Sequence, residues 1–91
     1  MWTILESTKL QREVPNLPKE IQERYEVWKS IVRLQGPQGL RFIRGFRDEA
    51  LAGQLKDYRS SRLNRHWRVI YSVQRDVVTV TVDGITHHVY R

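Results

Sequence analysis

Arg59, Arg62, Arg65 and Arg68 recur at intervals of three within "YRSSRLNRHWRVIY", residues 58 to 71. A guanidinium group binds phosphate through two parallel hydrogen bonds, so a run of arginines suits a polyanion. The surrounding charge has the same sign. From Arg41 to Arg75 stand Arg41, Arg44, Arg47, Lys56, Arg59, Arg62, Arg65, Arg68 and Arg75 against Asp48, Glu49 and Asp57, whereas acids nearly cancel bases from Met1 to Leu40. The formal charge of +6 and the sequence pI near 10.2 are therefore a local excess. Such an excess points to a polyanion-binding surface more than to general solubility. A plain solvated face and an acidic protein partner are the other two readings of the same residues.

The elements that must carry these side chains follow from periodicity. "WTILES" alternates in part and ends in Ser7, a good helix N-cap, which predicts a strand over 2 to 6 running into a short helix. Leu10, Val14 and Leu17 continue that helix at i, i+4 and i+7 until "NLP" interrupts it and Pro18 opens the next one. Ile21, Tyr25, Trp28 and Val32 then form an apolar stripe, widened by Val27, Ile31 and Leu34 and stopped by Gly36 and Pro37. Aromatic residues at helical spacing among aliphatic ones read as core, not as a platform for bases. Residues 38 to 56 are expected to form a long connection with one or two short helical turns, and long connections in small domains are often functional.

After Asp57 the period becomes two. "YRSSRLN", "HWRVIYSV" and "DVVTVTVDGI" read as three strands joined by tight turns at "NRH" and "QRD", with Val78, Val80 and Val82 on one face and Val77, Thr79 and Thr81 on the other. The expected architecture is α+β: a two-layer sandwich of N-terminal strand, two helices and an antiparallel meander, in one domain spanning 1–91. A chain of this length buries roughly 60–65% of its unfolded surface, which leaves no material for a second core.

Hairpin register decides where the arginines point. A two-residue loop at Asn64 and Arg65 would place Arg68 opposite Ser61; a three-residue loop, "NRH", would place Arg62 directly opposite Arg68 on one face. Like charges facing across a strand pair are destabilising unless an anion lies between them.

The order of elements, the pattern L-x-G-x-x-x-x-Y-R-S-x-R-L-x-x-x-x-R-V-I-Y at 51 to 71 and the "THHVYR" tail resemble the RelE/ParE superfamily of toxin–antitoxin toxins. The branch most similar is that of RelE, YoeB and YafQ. The resemblance implies a ribosome-dependent mRNA endonuclease that needs no metal: the RNA 2′-hydroxyl attacks the adjacent phosphate. That reaction calls for a base at the 2′-hydroxyl, cations beside the phosphorane and an acid for the departing 5′-oxygen. By position in the family pattern, Arg68 and Arg62 are the expected phosphate-binding and transition-state-stabilising cations. Glu49 matches the proposed general base, with Asp48 behind it. The His-x-Tyr spacing selects His88 with Tyr90 as acid and stacking or phosphate-holding group, while counting from Thr-His selects His87. Arg44, Arg47, Lys56, Arg59 and Arg65 are expected to contact RNA.

The partners implied are a cognate antitoxin, whose acidic segment would cover the basic surface, together with the ribosome and mRNA. Two alternatives share the fold or the charge: a ParE-like, non-enzymatic gyrase inhibitor, and a non-catalytic RNA- or ribosome-binding module. The His/Tyr tail beside the meander arginines favours the nuclease. No cofactor is expected. His66, His87 and His88 lack a carboxylate cluster at metal-ligand spacing, so no metal is expected either. There is no cysteine, hence neither a disulfide nor a thiolate metal site. No window approaches a membrane span and "MWTILESTKL" is not a secretory leader, so the expectation is a cytoplasmic protein that makes no membrane contact.

Overall fold

The Ser7 hydroxyl accepts the backbone N–H of Leu10 at 3.0 Å and so starts the first helix, α1 (Thr8–Glu13), directly after strand β1 (Thr3–Glu6). The structure, a computed structural model, describes residues 1–87. Helix α1 is shorter than the Leu10, Val14, Leu17 spacing predicts, because Val14–Asn16 tighten into a 3₁₀ turn around Pro15. Pro18 then precedes α2 (Lys19–Gln35), and Gly36 ends it with a φ of 80°. A side chain would not fit at Gly36, where a Cβ would stand 2.5 Å from the indole nitrogen of Trp2.

Ile21, Tyr25, Trp28 and Val32 of α2 are fully buried, as their spacing predicts. Of the residues expected to widen the stripe, Ile31 packs against the core, whereas Val27 and Leu34 are exposed, at 45% and 72%. The helix is thus widened toward the sheet on one side only, and residues beyond that arc meet solvent.

The remaining strands are β2 (Glu49–Ala50), β3 (Arg59–Arg62), β4 (Trp67–Gln74) and β5 (Thr79–His87). They form one sheet in the order β1-β5-β4-β3-β2, with β1 parallel to β5 and every other pair antiparallel. Leu10 and the α2 stripe pack on one face of this sheet against Val69, Tyr71, Val80, Val82 and Ile85. The outcome is the expected α+β two-layer arrangement.

The last strand differs from expectation at both ends. Val77 and Val78 belong to the turn, Val78 with a left-handed φ of 49°, so β5 begins at Thr79 and its inward set starts with Val80. Farther on, Ile70 pairs with Gly84 but Tyr71 with Val82, which leaves Asp83 as an extra residue. A bulge of this kind reverses the alternation. It lets Val80, Val82 and Ile85 all reach the core, where strict parity would have turned Ile85 outward.

Candidate active site on the open face of the sheet

Asn64 builds the hairpin that positions the arginines: its side-chain oxygen accepts the N–H groups of His66 and Trp67 at 2.8 and 3.0 Å, and the Leu63 N–H donates to the Trp67 carbonyl. The loop is therefore the three-residue "NRH", and Arg62 stands directly opposite Arg68. Both turn away from the helices, because Ser61 and Val69, their neighbours in the strands, face the core.

Beside this pair lies a cavity of about 380 Å³ lined by Glu49, Leu51, Leu55, Ser60, Arg68, Ile70 and Thr86, a volume typical of small-ligand sites. Register explains the set. Glu49 pairs with Ser60, Ser60 with Ile70, and Arg68 with Thr86, so all share the face without helices. Ser60 is nevertheless buried at 2% exposure, in the wall of this cavity with Leu51 and Leu55. Glu49 and Arg68, predicted as base and cation, thus line one cavity. A smaller cavity of about 230 Å³ lies between α1 and the β5 bulge, where Glu13 and Asp83 offset Lys9 and give no cationic cradle for a phosphate.

Arg59 is elsewhere. It points to the helix side, where its Nε and Nη2 donate to Oδ2 of Asp48 at 3.0 and 2.8 Å. The Asp48 carboxylate is fully buried and also accepts from Ser61 Oγ at 2.7 Å and from the Tyr71 hydroxyl. Ser61 Oγ accepts in turn from Trp28 Nε1 at 2.9 Å. Desolvation opposes the Arg59 charge, yet the hydrogen bond and charge of Asp48 outweigh it and raise the guanidinium pKa. Burial first, and Asp48 second, push the Tyr71 hydroxyl well above its ordinary value. Arg59, expected to contact RNA, thus has its guanidinium bound to a buried carboxylate on the helix side. Asp48 faces away from the cavity, so it is not in place to stand in for Glu49 as a base.

His87 pairs with Trp67 and contacts its ring edge-on, with centroids 5.0 Å apart, on the face opposite Arg68. The His66 ring lies 5.7 Å from that of His87. His88 and Tyr90 lie outside the described residues. Arg44, Arg47, Lys56 and Arg65 are all exposed, Arg65 at the hairpin tip and the others along the connection that leads into β2 and β3. Among the described residues no group of three His, Asp or Glu is arranged to hold a metal ion. Sequence reasoning missed Ser60 and Thr86 as cavity walls. The spacing from Arg68 pointed to Ser60 once the hairpin loop was known, but Thr86 depends on a register that the bulge shifts.

No family model and no curated protein matches the sequence. Solved structures do. The archaeal RelE of the RelE–RelB complex from Pyrococcus horikoshii superposes with a TM-score of 0.75 at 19% identity, over 99% of this chain and 98% of that one. The chain has the RelE-like fold. A chain of the YoeB–YefM complex from Staphylococcus aureus matches at TM-score 0.71 and 16% identity, covering 98% and 99% of the two chains. YafQ from Escherichia coli matches at 0.71 and 14%, covering 96% and 93%. These likenesses span the whole RelE-like unit, so the cavity sits on a sheet shared with all three.

Proposed function

We propose that the protein is the toxin of a type II toxin–antitoxin system and cleaves mRNA in the ribosomal A site by attack of the RNA 2′-hydroxyl on the adjacent phosphate. One observation carries the reading: Arg62 and Arg68 are paired across two strands on the open face, and Arg68 lines one cavity with Glu49. The paired guanidinium groups would hold the scissile phosphate and offset the charge that builds on the phosphorane. Glu49, which lines the same cavity as Arg68, would take the proton of the 2′-hydroxyl. His88, selected by the family resemblance, would protonate the departing 5′-oxygen, with Tyr90 holding the base or phosphate. Arg44, Arg47, Lys56 and Arg65 would contact RNA along the rim. The RelE and YoeB structures that share the fold come from complexes named RelE–RelB and YoeB–YefM. They support an antitoxin partner for this chain, one with an acidic segment to match its basic surface. No helix among the described residues is long and apolar enough to cross a membrane, and a site of action on the ribosome would be cytoplasmic.

The test is cleavage on programmed 70S ribosomes, with all-ribose message and with message bearing a single 2′-deoxy nucleotide at each A-site position. Cuts that require the ribosome and vanish at one 2′-deoxy position are the expected result. Ribosome binding with intact message would instead make the arginines a docking surface. Indifference to ribosomes would turn attention to gyrase.

A further inference from the structure

Glu49 is weakly attached on its own account. Strand β2 has two residues at the edge of the sheet, followed by a single backbone bond from the Leu51 N–H to the Tyr58 carbonyl at 3.0 Å. On its other side Arg47 holds a left-handed φ of 42°, a conformation that a non-glycine residue keeps only where its surroundings enforce it. Between them stands Asp48, whose buried carboxylate is bound to Arg59 and Ser61 of β3, to Tyr71 of β4 and, through Ser61, to Trp28 of α2.

We propose that Asp48 is a positioning residue: by locking the edge strand from the helix side it sets the register that holds Glu49 over Ser60 and Arg68 on the other side. A slip of one residue would exchange the two carboxylates between faces. With Asp48 in its buried site, Glu49 must point into the cavity, and Leu51 and Leu55 are carried with it as the cavity wall. This inference rests on the nuclease reading and adds what aims its base.

Asp48→Asn keeps the size of the side chain and removes the charge that holds Arg59. Its kcat and KM for A-site cleavage are compared with those of Glu49→Gln and of the double variant, alongside hydrogen exchange at the Leu51 amide. The expected result is a kcat lowered about 10²-fold, the scale of a lost general base, with KM near the wild-type value. The double variant should be no slower than Glu49→Gln alone, because two changes that remove one function do not add. The Leu51 amide should exchange about tenfold faster as the edge loosens locally. A folded Asp48→Asn protein with wild-type kcat, or losses that multiply in the double variant, would overturn the proposal. If Asp48→Asn fails to fold, Tyr71→Phe removes one donor from the same carboxylate and should lower kcat several-fold with the same non-additivity; an unchanged rate would overturn it. Should the wild type never cut message, the nuclease reading falls, and positioning is decided by exchange at Leu51 alone.

Discussion

Arg59 and Arg62 occupy the two ends of one four-residue strand and lead opposite lives. Arg59 faces the helices and is spent on a fully buried carboxylate; Arg62 faces away from them and stands beside a second arginine. The difference comes from alternation. A spacing of three on a strand of period two sends successive members to opposite faces, and the hairpin then takes Arg65 into its loop and returns Arg68 to the face of Arg62. Four residues that look equivalent in the sequence thus divide into one that holds the fold, one at a loop tip and two at the candidate site.

The largest effect should fall on the inner member. Arg59→Ala leaves the Asp48 charge buried without its cation and should cost about 3–5 kcal/mol in denaturant-measured stability. Its outer counterpart should behave differently: Arg62→Ala should cost less stability than Arg59→Ala, weaken binding of single-stranded RNA and reduce the log–log salt slope by about 1. Matching behaviour of the two variants would erase the distinction between the faces. Trp28→Phe, which removes the indole donor to Ser61, should lose about 1 kcal/mol and leave the RNA salt slope unchanged. The smallest effect at neutral pH concerns the buried hydroxyls. Burial raises the pKa of Tyr25, with Glu6 adding to it, and burial with Asp48 raises that of Tyr71. The folded state then keeps protons that the unfolded chain releases near pH 10, so stability is complete below that value and falls as pH rises past it. Alkaline denaturation followed by circular dichroism should show this decline, and Tyr71→Phe should flatten it.

Much of the helical layer was legible, because Ser7, Pro18, Gly36 and the Ile21, Tyr25, Trp28, Val32 stripe are local signals read within a few residues. The open face was legible as far as the hairpin, where two loop lengths gave two placements of Arg68 and the Asn64 side chain decides between them. Beyond that, the determinants are non-local. Strand β2 is two residues long and carries no periodicity, so Glu49 gave no sign of its direction. Asp48 read as a reserve base behind Glu49 and not as a buried anchor, since its partners lie 11 to 23 residues away in sequence. The Asp83 bulge is likewise visible only in the pairing, and with it the arrival of Thr86 beside Arg68.

The most direct measurement is the single-turnover rate of A-site cleavage by Arg68→Ala against wild type at equal ribosome occupancy, with Arg75→Ala, in the turn at the far end of β4, as control. If the open face cuts RNA, Arg68→Ala loses about 10²-fold or more, the range of a lost transition-state donor, while Arg75→Ala keeps the wild-type rate. A fully folded Arg68→Ala protein that cleaves as fast as wild type would contradict the assignment of catalysis to this face.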